Sequence, residues 1–246
     1  MGQAEGSPDI APEPAADAAG RLVQQGNDLT ARGDLDGAIA AYSEAIRLDP
    51  RSTAAYVGRG VARYRKGQFA QAIADETEAI RIDPRHAPAY RNRGRDHAAA
   101  RAWSKAVADF TEAIRLAPDD ARAYCDRATV LNRLGRHAQA IADATEAIRL
   151  DPGLALGHNA RGYGHLGRGR QRVFTFWRRG NAAARRADFA QAVADFTEAI
   201  RLAPASWDCF VGRATAYRAL GDLASAARDE AALPPQIRQD PRSRLR

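Results

Sequence analysis

Prolines recur at Pro50, Pro84, Pro118 and Pro152, 34 residues apart each time, and Pro204 follows 52 later, which is 34 plus 18. Each closes nearly the same phrase: AIRLDP, AIRIDP, AIRLAP, AIRLDP and AIRLAP. Near-copies at one period confine the chain to folds in which a single unit is stacked on itself, because each copy buries its apolar face only against its neighbours.

A 34-residue period ending in this phrase resembles the tetratricopeptide repeat, a helix–turn–helix unit, and the likeness covers about residues 19–233. The resemblance implies an all-α, right-handed superhelical solenoid of about five to six repeats, of bacterial type. The copies run 19–52, 53–86, 87–120, 121–154 and 173–206, with a truncated one from 207. Small residues hold repeat positions 8, 20 and 27, for instance Gly60, Ala72 and Ala79, where two helix backbones must approach closely. A bulkier residue there overpacks the pair at a cost of about 1–3 kcal/mol. Larger apolar residues recur at position 4 (Tyr56, Tyr90, Tyr124, Phe176, Phe210) and at positions 21 and 28, on a helical period. Gly33, Gly67, Gly135 and Gly221 turn the chain between the two helices of a repeat.

One coupling is legible in the copies. Position 7 is arginine (Arg59, Arg93, Arg127, Arg179, Arg213), and position 23 of the same repeats is aspartate (Asp75, Asp109, Asp143, Asp195, Asp229). The first repeat has Gln25 and Ala41 and so lacks both partners together. This pattern predicts a structural ion pair from the first helix to the second within each repeat. Shared ancestry of the copies is the alternative explanation.

The array breaks at residues 155–172, ALGHNARGYGHLGRGRQR. Its first half is similar to the opening helix of a repeat, with Arg161 and Gly162 at positions 7 and 8, yet no second helix follows and Arg161 has no aspartate at position 23. Five glycines in eighteen residues disfavour a stable helix. The expectation is a degenerate half-repeat that joins a four-repeat block (19–154) to a shorter block (173–233). No acid lies between Asp151 and Asp188, while residues 161–186 interleave arginines with Tyr163, Phe174, Phe176 and Trp177. Such a mixture suits phosphate contact and base stacking.

The family resemblance implies that the first helix of each repeat lines a concave groove. In repeats two to six the groove positions carry Arg65, Arg91, Arg95, Arg122, Arg133, Arg178, Arg185 and Arg218, with Asn92 among them, against two acids, Asp126 and Asp208. Across the whole chain, 37 Lys+Arg stand against 30 Asp+Glu, so the groove is enriched in positive charge. The acids gather on the second helices, among them Asp75, Glu76 and Glu78. The reading is a protein-interaction scaffold or adaptor that takes an acidic or extended peptide on this arginine-lined face. The alternative is a nucleic-acid-associated, RNA-binding protein using residues 161–186. The chaperone-binding carboxylate clamp of one subfamily matches only in fragments, at Asn27, Asn92 and Arg122.

No metalloprotease, nucleophile-elbow, phosphate-loop or calcium-loop signature is present, which points away from an enzyme, and neither cofactor nor metal is expected. Cys125 and Cys209 form no pair motif, and His158 and His165 read as exposed polar residues. No run is apolar enough to span a bilayer. Residues 1–18 are acidic and rich in Ala and Pro, a composition that predicts disorder and no secretory signal. The expected compartment is the cytoplasm, or outside it should the start be truncated. Residues 234–246 form a basic tail, with no amphipathic capping helix after the last repeat, which leaves self-association through that end open.

Overall fold

The turn between the two helices of a repeat demands a left-handed residue, and four repeats answer with glycine: Gly33, Gly67, Gly135 and Gly221 have φ of 85°, 75°, 71° and 88°. The third repeat places Arg101 at the same point, with φ of 59°. A side chain costs about 1–2 kcal/mol in that region. The computed structural model describes residues 15–174 and 181–239, and all regular structure among them is helical.

The chain divides into two compact units, Met1–Ala100 and Arg101–Arg246. The boundary falls between the two helices of the third repeat, not at the break after residue 154. The first unit contains α1 (Ala15–Arg32), α2 (Leu35–Leu48), α3 (Thr53–Arg65), α4 (Phe69–Ile82) and α5 (Ala87–Ala99). Helix α1 starts inside the stretch expected to be a disordered tail. The second unit contains α6 (Trp103–Leu116), α7 (Ala121–Arg133), α8 (His137–Leu150), α9 (Ala155–Phe174), α10 (Asn181–Leu202), α11 (Trp207–Leu220), α12 (Leu223–Ala231) and α13 (Pro235–Gln239). Within each unit the helices pack as successive antiparallel hairpins, α1 on α2, α3 on α4, α7 on α8 and α9 on α10.

The position-7 arginines tie these hairpins together. Arg59 reaches Asp75 at 2.8 Å, Arg127 reaches Asp143 at 2.7 Å and Arg213 reaches Asp229 at 2.7 Å. Each guanidinium also donates backwards, to a hydroxyl on the second helix of the preceding repeat: Arg59 to Ser43 at 3.0 Å, Arg127 to Thr111 at 3.1 Å and Arg213 to Thr197 at 3.1 Å. Those hydroxyls spend their own proton on a carbonyl one turn earlier, leaving the oxygen free to accept. The aromatic ring at position 4 lies beneath each guanidinium, 5.6–5.8 Å from centroid to carbon. Arg93 is held over Tyr90 in the same way and donates to Thr77 at 3.3 Å. Arg93 belongs to the first unit and Asp109 to the second.

Asp195 has a partner that the sequence reading did not assign to it. Its partner is Arg161, at 2.7 Å, and Arg179 lies outside the described residues. Arg161 therefore does have its aspartate, displaced by the extra eighteen residues. Residues 155–172 are not a joint that lost its second helix. They form most of α9, the first helix of a complete repeat whose second helix is the later part of α10. The stretch between the paired positions is eighteen residues longer than in the other repeats, and Arg168 of α9 adds a further bond to Asp188 of α10 at 2.9 Å.

The five glycines that argue against a helix here are docking notches. A Cβ on Gly162 would stand 2.9 Å from the Phe196 ring, and one on Gly169 would stand 2.7 Å from the Phe189 ring. Gly157, Gly164 and Gly167 likewise lie against Ile148, Ile141 and His137 of α8. Helix α9 is thus pressed between α8 and α10. Close packing against buried Phe189 and Phe196 offsets the roughly 1 kcal/mol that a glycine costs a helix. Gly212 of α11 meets Phe196 from the other side, so one ring fills the space left by two glycines.

The acids of the second helices are not a free outer face. Asp75, Asp143, Asp195 and Asp229 are buried at the arginine bonds. The outward glutamates pair with an arginine three residues on, as in Glu112–Arg115 and Glu146–Arg149, both at 2.6 Å. That arginine holds each glutamate below its ordinary range. Glu76 departs most. It occupies position 24, which is Tyr42, Phe110 and Phe196 in other repeats, and it is wholly buried over Gly60 with no cation bonded to it among the described ion pairs. Burial, reinforced by the charges of Asp96 and Asp75, pushes its pKa up to about 9; the Asn92 amide and Arg93 pull the other way.

Three outcomes are expected. Arg101→Gly should stabilise the protein by about 1 kcal/mol, read from its denaturant midpoint. A double-mutant cycle joining Arg161→Gln to Asp195→Asn should return a coupling of about 1 kcal/mol or more. Glu76 is protonated when folded and ionised when unfolded between its ordinary pKa and about 9, so stability should fall as pH rises through that window. Glu76→Gln should flatten this slope in denaturation curves taken across the range.

Candidate functional site

Three first helices of the second unit, α7, α9 and α11, surround a cavity of about 520 Å³. Its position depends on α9 being a helix, since α9 brings Asn159, Tyr163 and Arg170 to the wall. Helix α7 contributes Thr129, Asn132 and Arg133, and α11 contributes Trp207, Asp208 and Val211. Ile237, from the short helix α13, closes one edge. A helix thus does follow the last repeat, although it is only five residues long.

Most polar groups of the wall satisfy one another. The Asn132 amide donates to the Ala160 carbonyl at 2.8 Å, and its oxygen lies 3.2 Å from His137 Nδ1. The Asn159 amide donates to Asp208 Oδ2 at 2.8 Å, and the Tyr163 hydroxyl donates to the Asp208 carbonyl at 3.1 Å. Arg133 and Arg170 are different. Both are exposed, and neither is bonded to an acid among the described residues, whereas Arg127, Arg161, Arg168 and Arg213 all are. Both guanidiniums act on the Tyr163 hydroxyl, opposing the upward push on its pKa from burial and from Asp208. Both line the same cavity.

The other sequence-selected groove residues are dispersed. In the first unit Arg65 donates to the Thr30 carbonyl at 2.6 Å, and Arg95 lies over the Tyr64 ring at 5.2 Å. Arg91 and Asn92 are half-buried on α5, with Asn92 beside Glu76. In the second unit Arg122 is exposed on α7 outside the cavity, and Arg218 is ion-paired with Glu230. Arg185 sits on the leading part of α10, not on a first helix. Arg178 lies outside the described residues, as do Phe176 and Trp177. Sequence reasoning placed Arg133 in the groove and Tyr163 and Arg170 in the basic, aromatic segment 161–186, and it missed Asn159 and Trp207. The signal for Asn159 was the first-helix likeness of the opening half of residues 155–172, discounted because of its glycines.

His158 and His165, expected to be exposed, are buried on α9, with His165 3.7 Å from Asp188 and 3.9 Å from Asp195. Burial lowers the His165 pKa against the pull of both aspartates. Burial also pushes the Cys125 and Cys209 thiols up to about 12, leaving them protonated and unreactive at neutral pH. Asn27 is engaged as well, accepting from the Tyr42 hydroxyl at 2.7 Å. Among the described residues no group of three His, Cys, Asp or Glu side chains is placed to hold a metal ion, and no helix is long and apolar enough to cross a membrane.

Comparison with known proteins agrees with this architecture. A family model described as TPR repeat matches residues 26–67, and one described as tetratricopeptide repeat matches residues 91–155 and 178–241. The solved structure of Pseudomonas aeruginosa pilF is similar, with a TM-score of 0.74 at 16% identity, covering 95% of this chain and 97% of that one. A tetratricopeptide repeat protein from Parabacteroides merdae gives 0.67 at 19% identity, with 87% and 78% covered. MamA from Desulfovibrio magneticus gives 0.61 at 19% identity, with 77% and 97% covered. At these identities the structures speak to the fold alone, but the family models span more than half of the chain. It belongs to the tetratricopeptide repeat family.

Proposed function

We propose that this protein is a non-enzymatic scaffold that binds an acidic, extended segment of a partner protein on the first-helix faces of its repeats. Repeats of this family generally mediate protein–protein interaction. The observation that carries the acidic preference is the pair Arg133 and Arg170, which share a cavity and are bonded to no acid among the described residues, while neighbouring arginines are committed to aspartates. Guanidinium groups left in a concave, partly desolvated wall favour carboxylates and offer them paired hydrogen bonds. The nucleic-acid reading of residues 161–186 draws less support, because Arg161 and Arg168 are engaged with Asp195 and Asp188.

Fluorescence anisotropy of labelled peptides against the full chain tests this. Acidic peptides should bind, basic peptides of the same length should not, and the affinity should fall with salt. The double reversal Arg133→Glu, Arg170→Glu should weaken binding by about tenfold or more. Peptide binding indifferent to charge would overturn the proposal. So would a preference for single-stranded RNA that survives the reversal, which would transfer the function to the basic segment.

A further inference from the structure

The cavity of the second unit offers more than positive charge. Its apolar wall is made by Leu166, Val211, Ile237 and Trp207, and Trp207 is 45% exposed, one of the few large apolar side chains so open to solvent. Its amide and tyrosine donors are already satisfied within the protein. What remains for a ligand is the apolar wall and two guanidiniums. Asp208 also lines the cavity, and the described hydrogen bonds to its carboxylate come from neutral groups, Asn159 and Cys209, with no cation bonded to it. The charged side chains of the wall are thus two cations and one anion, a balance of one positive charge.

We infer that this cavity selects a peptide segment carrying one large apolar side chain beside one Asp or Glu. The apolar side chain lies against Trp207, Val211 and Leu166, and the carboxylate is taken by Arg133 and Arg170. The inference rests on the acidic-peptide reading above and narrows it. A run of acids meets Asp208 with its second charge and leaves the apolar wall wet, so it is disfavoured on both counts. A phosphate dianion exceeds the single positive charge and meets the same repulsion. The cavity volume of about 520 Å³ matches a site for one or two side chains.

The test is a synthetic library of short peptides, acetylated and amidated so that the only carboxylates are side chains, screened on the full-length protein. Recovered sequences should be enriched in a Phe, Leu, Ile or Trp next to a single Asp or Glu. Replacing that apolar residue by Ala, or that acid by its amide, should weaken binding by about tenfold each. Trp207→Ala should remove the apolar preference and keep the acid preference. Arg133→Gln with Arg170→Gln should do the reverse. All three side chains are exposed, and an unchanged far-UV spectrum confirms that the variants fold. Enrichment of polyacidic peptides lacking a large apolar residue would overturn this inference and leave the acidic-peptide scaffold standing. Enrichment without any acid, or no enrichment at all, would overturn both. A free C-terminal carboxylate or a mononucleotide that displaces the recovered peptide at lower concentration than the peptide itself requires would show that the occupant is wrong.

Discussion

In the repeats that carry it, the hairpin is oriented by the guanidinium of the position-7 arginine. Its planar fork meets an aspartate of its own second helix on one edge and a hydroxyl of the preceding repeat on the other, while an aromatic ring supports it from below. Three helices are therefore oriented by a single side chain. Lysine, with a point charge and no fork, cannot make both contacts at fixed angles. The aspartate is buried, so loss of the arginine strands a charge and should cost several kcal/mol. The seam itself is lined with alanine and glycine. Small residues allow close approach but carry little shape information, and the polar bond adds orientation to a core that would otherwise slide.

Most of the fold was legible in the sequence, because a repeated constraint is written several times. The glycine at the interhelical turn, the small residues of the seam and the position-7/position-23 coincidence each recur. What escaped was written only once. The five glycines of α9 read as helix breakers, since propensity is a local quantity and the rings that fill those notches belong to other segments. Phe196 is thirty-four residues from Gly162 in order of chain and lies against it once folded. The eighteen-residue shift hid Asp195 from Arg161 for the same reason: a fixed period assigns partners by counting, and an insertion defeats the count while leaving the bond intact. Glu76 looked like an outer-face acid because its neighbours Asp75 and Glu78 are acidic, although its register is that of a core aromatic.

The candidate site follows this division between the recurrent and the singular. Arginines at recurrent positions are largely absorbed into structure, by carbonyls, rings and acids. Arg133 and Arg170 remain uncommitted where an irregular repeat brings an additional first helix to the wall. Positive charge counted along a sequence therefore overstates the charge available to a ligand. The useful quantity is charge left after internal pairing, and Arg133 on α7 and Arg170 on α9 carry such charge to the wall of a cavity.

The insertion also bears on how such an array can grow. The bonds of Arg59, Arg127 and Arg213 to their aspartates each close a loop of sixteen residues, whereas the one between Arg161 and Asp195 spans thirty-four, and its length is the same 2.7 Å as that between Arg127 and Asp143. Closing a loop twice as long adds only about 0.6 kcal/mol of entropy. The turn between the two helices of a repeat is thus a point at which new sequence can be spliced in and tried by selection while the bonded core keeps its geometry. A protein of this kind can diversify at its hairpin tips without renegotiating the contacts that hold it together.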